Sequence, residues 1–391
     1  MKNTAFIAIA LVLFTFSPLQ AQDPANDEYI KAMTSNDTGE RVKLLKDWLN
    51  KFGGSGHQYE NFANAAVCTA QYTGKTAADT IKYGEKALSI GGLDDSTKAQ
   101  VLVTLSSVCL QQSPSKARNY AGQLIETATG AKGKKEQEGQ EKVWNQMIGA
   151  GYYIQGESFK KENNPKSALD AYEKSYNILK SKEIATSMAQ LGKTLYDNKD
   201  YANAEKAFKI VVPVLDDFGS VTLYAKTLHR AGKKTEALKY YKESYSKRKT
   251  GEVAYNIGLL MALQAQSDAA TAPETIQYLL DASFLSQANS EKAMKMAEGL
   301  YFHHNPDYNR KVQEIQAKMP DLEAMTKEYN DKFGEKDVDD LTSAEKNEME
   351  SLLGLIEIVK KDIAKLQAEQ QATLGKFTQM VEQTKQKLGV K

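Results

Sequence analysis

Four residues recur at fixed offsets through the middle of this chain, and no other feature constrains its fold as tightly. Gly156 is followed by Phe159, Ala168 and Tyr172 at +3, +12 and +16. The same offsets from Gly192, which follows Leu191, reach Leu195, Ala204 and Phe208. From Ala225 they reach Leu228, Ala237 and Tyr241. The anchors lie 36 and 33 residues apart, and Gly258 lies a further 33 beyond Ala225. A period of this size marks a stack of supersecondary units. After Gly258 the stretch AQSDAATAP displaces the second half of the unit, which places Ile276 and Leu280 at the corresponding positions.

Physical chemistry explains the pattern. Each unit reads as two antiparallel helices. Gly or Ala at the anchor lets one helix approach another, Ala on the second helix does the same from the other side, and the aromatic fills the space between them. A single hairpin cannot bury its apolar face alone, so neighbours must stack. NNP at 163–165, NKD at 198–200 and AGKK at 231–234 fall between the helices, where turn residues belong.

In these residues the chain resembles the tetratricopeptide repeat family. The likeness is good over 149–250 and weaker over 251–290. It lacks the family's Trp early in the first helix and its closing Pro, since Pro213 falls three residues early. The resemblance implies an all-α solenoid whose concave surface is lined by first helices, just off the packing anchors. Those positions are Tyr153, Glu157 and Lys160, then Lys193 and Tyr196, then Lys226, His229 and Arg230, then Tyr255 and Asn256. Bases and aromatics mix there, as suits an extended acidic peptide. Chaperone-type members grip a terminal carboxylate with Lys and Asn at set positions. Ala189 and Lys193 stand there in this chain, so that clamp is not expected.

The flanks extend the helical reading. Residues 22–129 read as degenerate hairpins of the same kind, opening with RVKLLKDWLNKF (41–52), which puts Val42, Leu45, Trp48, Leu49 and Phe52 on one face. GAKGKKEQEGQEK (130–142) reads as a linker or long loop before the array at 143–290. Residues 291–391 read as a helical extension. Pro320 is expected to open a helix that carries Leu322, Met325, Tyr329 and Phe333 on one face. Thr342 and Glu345 have capping-box spacing. Leu352, Ile356, Val359, Ile363 and Leu366 then form a coiled-coil-like seam, which either pairs with the 320–333 helix or joins two chains.

Residues 1–21 stand apart. Lys2 precedes the apolar run AFIAIALVLFTF, and SPLQA follows with a small residue at Ala21. This is the layout of a secretory signal peptide cleaved after Ala21, and the run is short for a membrane span. An uncleaved anchor is the alternative. No other run is long enough to span. Removing 1–21 takes away one charged residue, Lys2, which turns 51 Lys+Arg against 50 Asp+Glu into 50 against 50. A neutral chain gives no global pull toward nucleic acid or an anionic membrane. An oxidising compartment permits one disulfide between Cys68 and Cys109, but their apolar helical surroundings fit two buried thiols more simply.

No chemistry-bearing constellation emerges. GKT occurs at 74–76 and 192–194, but the glycine a phosphate loop requires five residues earlier is Thr69 or Ser187. His303 and His304 are adjacent and project apart on a helix, so they chelate one metal poorly. GGSGH (53–57) lacks the final Gly of a nucleophile elbow. The expectation is therefore a non-enzymatic scaffold without cofactor or metal, periplasmic or secreted, that presents a concave groove to a protein or peptide partner. The alternative is an assembly protein that homo-oligomerises through its C-terminal helix.

Overall fold

A computed structural model describes residues 23–390. The signal-peptide expectation at 1–21 lies outside them. Among the described residues there are 17 α-helices and no strand. The fold is all-α, built of antiparallel hairpins with a C-terminal helical extension. It divides into two compact units, one up to Leu191 and one from Gly192.

The first unit contains α1 (Pro24–Met33), α2 (Thr38–Phe52), α3 (Glu60–Thr69), α4 (Ala77–Ile90), α5 (Asp95–Gln112), α6 (Pro114–Lys132), α7 (Glu141–Lys161) and α8 (Pro165–Leu179). Local chemistry sets the starts. The carboxylates of Asp37 and Asp94 accept the Glu40 and Thr97 amides at 2.7 and 2.9 Å, and Pro114 and Pro165 open their helices. GGSG ends α2 because Gly54 and Gly56 take φ of 83° and 75°. Val42, Leu45 and Trp48 are buried, and the Trp48 indole donates to the Ala25 carbonyl at 2.7 Å. α6 runs to Lys132 and α7 begins at Glu141, so the connection expected over 130–142 shortens to 133–140, and these two helices pack together. Cys68 and Cys109 are both free thiols buried in one apolar cluster with Ala87, Leu102 and Leu105, and burial pushes the Cys68 thiol up to about 12. At Gly156 an added Cβ would lie 2.6 Å from the Tyr172 ring, so the absence of a side chain is what admits the aromatic.

α9 (Lys182–Asp197) crosses the division. The second unit continues with α10 (Tyr201–Leu215), α11 (Phe218–Arg230), α12 (Lys234–Lys247), α13 (Gly251–Ser267), α14 (Ala272–Leu285), α15 (Ser290–His303), α16 (Pro306–Phe333) and α17 (Ser343–Leu388). Leu195, Ala204, Phe208, Ala225, Leu228, Ala237 and Tyr241 are all buried. Gly192 meets Phe208 across its hairpin, with 3.0 Å from an added Cβ to the ring. Gly258 meets Leu279 at 2.6 Å, one residue before the expected Leu280. α13 runs on to Ser267 and a short loop follows, so α14 arrives shifted in phase. Ile276 and Leu280 are nevertheless buried beside it.

The extension departs from expectation at Pro320, which lies inside a 28-residue helix rather than at its start. The carbonyl left without its amide partner belongs to Gln316, and both residues are exposed, so water can serve it. Thr342 and Glu345 form a complete capping box at the start of α17. The seam of α17 is covered within the chain. Leu341, Leu352 and Ile356 pack with Phe333, Leu322, Met325 and Tyr329 of α16. Lys318–Asp362 at 3.1 Å and Lys311–Glu369 at 3.0 Å flank the pair. Further along, Phe377, Met380 and Val381 join Leu279, Leu280, Ala297 and Tyr301, so α17 also closes the α14–α15 hairpin.

Candidate partner-binding face

The expected groove residues fall in both units and are described separately. In the first unit, α7 carries Tyr153, Glu157 and Lys160. The Tyr172 hydroxyl donates to Glu157, and Lys160 lies 3.4 Å from the same carboxylate. Tyr153 packs against Tyr172 with ring centroids 5.7 Å apart. Burial and the Glu157 carboxylate push the Tyr172 phenol well above its ordinary range. Glu157 therefore spends its charge on a core tyrosine.

In the second unit the residues lie on α9, α11 and α13. Lys193 reaches Asp197 one turn on, at 2.6 Å, with both side chains more than half exposed. Lys226 of α11 pairs with Glu252 of α13, also at 2.6 Å, and ties the two helices together. Arg230 at the end of α11 is exposed and pairs with the Tyr196 hydroxyl, which raises its pKa further. Among the described residues it has no carboxylate partner. His229 stands edge-on to Tyr241 at 6.0 Å, and burial, with Arg230 and Lys234 nearby, lowers its pKa, so it is neutral at pH 7. Tyr255 and Asn256 are half-exposed on α13, and the Asn256 amide donates to the Glu252 carbonyl at 2.8 Å.

The face is thus less positive than its composition suggests. Two of its cations are matched by Asp197 and Glu252, and Arg230 supplies the uncompensated charge. Sequence spacing identified the helix positions but not the pairing across helices. It also passed over Leu259 and Leu263 on the same helix as Tyr255, which are 42% and 74% exposed. Their signal was present in the sequence: Val253 to Ser267 contains no charged residue.

The other flagged motifs take structural roles. His303 and His304 approach the last carbonyls of α13, at Gln266 (3.0 Å) and Ala265 (2.5 Å), where ring N–H groups serve as caps. Lys75 of the first GKT holds the Cys68 and Ala70 carbonyls at 2.7 and 2.6 Å at the end of α3, and burial lowers its pKa. Gly192 of the second lies within α9. Among the described residues, no group of three His, Cys, Asp or Glu is placed to hold a metal, and no helix is long and apolar enough to cross a membrane.

No protein-family model matches the chain, and no curated protein matches its sequence. Among solved structures it is similar to a tetratricopeptide repeat protein from Parabacteroides merdae, at 14% identity, with 70% of this chain and 98% of that one covered and a TM-score of 0.34. It is similar to the C-terminal part of a TPR repeat-containing protein from Cytophaga hutchinsonii, at 14% identity over 71% and 94% of the two chains, TM-score 0.33. A third is the complex of the TPR2AB domain of yeast Sti1 with pHSP90, at 14% identity over 68% and 98%, TM-score 0.24.

Proposed function

We propose that this protein is a non-enzymatic interaction scaffold, exported through its N-terminal 21 residues to the periplasm or beyond, that presents a preformed helical face to a protein or peptide partner. The observation that carries the reading is the α11–α13 face. The Lys226–Glu252 bridge links its two helices, and the face presents Arg230, Tyr255 and Asn256. A preorganised face keeps the entropic cost of binding low. The export reading rests on the layout of Lys2, the apolar run and Ala21.

Crosslinking pull-down from intact cells tests this. Wild type is compared with a triple charge reversal, Lys193→Glu, Lys226→Glu and Arg230→Glu. Capture of one defined envelope protein, lost in the reversal, is the expected result. Capture that survives the reversal but disappears when 341–391 is removed would move the working surface to the tail and refute the groove reading.

A second reading is favoured by one observation. Leu355 and Ile358 of α17 are 50% and 59% exposed, outside the seam that α16 covers. They fit an assembly protein that self-associates through the extension. Light scattering that finds a monomer at high concentration would end that reading.

A further inference from the structure

α13 buries one side through Val253, Ala254, Ile257, Met261 and Ala265. A surface helix ordinarily turns charge toward water on the other side. This one does not. Leu259 and Leu263 are four residues apart and share a face, and Leu263, at 74%, is more exposed than any other large hydrophobic among the described residues. A single exposed leucine needs no explanation. Two on the solvent side of a helix that carries no charge after Glu252, in a chain that is 26% charged, do. The helix is also held at both ends. Glu252 is bridged to Lys226, and the last carbonyls meet His303 and His304.

We infer that Leu259 and Leu263 receive a bulky apolar side chain of the partner segment, while Arg230 receives a carboxylate of the same segment. The inference rests on the scaffold reading and narrows it to one partner chemistry. Charge complementarity selects that chemistry. Lys226 is matched by Glu252 from the neighbouring helix, whereas among the described residues the exposed Arg230 guanidinium pairs with the Tyr196 hydroxyl and no carboxylate. A polyacidic stretch would have to bring charge against a neutral leucine face. A segment with one acidic residue and one Leu, Ile or Phe satisfies both parts without burying an unpaired charge.

The test pans a random short-peptide library against the mature chain, and the enriched peptides are then measured by fluorescence polarisation. Both leucines are exposed, so Leu259→Ser/Leu263→Ser is expected to keep the wild-type circular dichroism and melting curve. Leu263→Ser alone is the milder second variant. Leu353→Ser, exposed on α17, is the control surface. Enriched peptides are expected to combine an acidic and a bulky apolar residue. They should bind the double serine variant about tenfold or more weakly, Arg230→Ala about fivefold or more weakly, and Leu353→Ser as well as wild type. Peptides that need Arg230 but ignore the serine pair would overturn this inference and leave the scaffold reading standing. Failure to enrich any peptide, or binding indifferent to all the α11 and α13 changes, would overturn both. A wild-type dimer that the serine pair converts to a monomer in sedimentation would assign the face to a second copy and overturn the inference.

Discussion

Replacing Gly258 with alanine separates two reasons a glycine can occupy a helix. An alanine methyl there would lie 2.6 Å from Leu279 Cδ2 and 2.7 Å from its Cγ. Comfortable carbon contacts lie at about 3.5–4.0 Å. Leu279 is fully buried, so it has little room to retreat. Overpacking of this kind costs on the order of 1–3 kcal/mol. Against it stands a gain of about 1 kcal/mol from removing a glycine from a helix interior. The expected net is a loss of up to about 2 kcal/mol, from the balance of those two effects. Gly354 in α17 is the opposite case, because nothing lies within 4 Å of its added Cβ. Gly354→Ala should therefore gain about 1 kcal/mol. For a unit of this size each kcal/mol moves the melting temperature by about 2–4 °C, so the two variants should melt roughly 2–12 °C apart. Calorimetry of residues 22–391 reads the shift, and hydrogen exchange on α13 and α17 assigns it to the right helix. Gly258→Ala melting above wild type would refute the argument that close approach to Leu279 is what requires glycine there.

Two further outcomes follow from buried and exposed carboxylates. Asp281, 2% exposed, accepts from the Tyr245 hydroxyl and, at 2.8 Å, from Gln277, which also reaches Thr384 of α17. Tyr245→Phe should cost about 1.5–3 kcal/mol by removing a hydrogen bond to a buried carboxylate, and an unchanged urea midpoint would count against it. Glu345 is held at about 2, below its ordinary 4.5, chiefly by the Thr342 amide and hydroxyl and then by Lys336. Because its folded pKa is depressed, its contribution is full above pH 4.5 and is lost as the pH falls toward 2. The protection of amides in the first turn of α17, measured against their intrinsic exchange rate at each pH, should fall across that window in wild type and stay level in Glu345→Gln.

The repeat frame was legible because close packing leaves few options. Gly156 must face Tyr172, and Gly192 must face Phe208, at separations set by two helices and a turn. The capping box was legible for the same local reason. Pro320 was misread because a proline's rank as a helix opener ignores whether water can reach the carbonyl one turn back. The shift from Leu280 to Leu279 followed from how far α13 runs, which the spacing of its apolar residues does not mark. The electrostatics of the candidate face were hidden differently. Lys226 and Glu252 lie on helices separated by the whole of α12, and their meeting depends on how the hairpins pack. Leu259 and Leu263 look like core in the sequence, since exposure is decided by which neighbours cover α13 rather than by its composition.

The docking of α17 bears on the order in which this chain can fold during synthesis. Most hairpins close contacts between helices adjacent in the chain, which form early and fast. The α14–α15 hairpin differs, because Phe377, Met380 and Val381 complete its cluster and Gln277 finds Thr384 only 107 residues later. Until those residues have been made, Leu280 and Tyr301 lack their cover, and the segment is exposed to mispairing in a way its neighbours are not. A chain stalled or cut before residue 377 would therefore carry finished repeats and one open apolar surface, which makes the far end of α17 a completeness check on the newly made second unit.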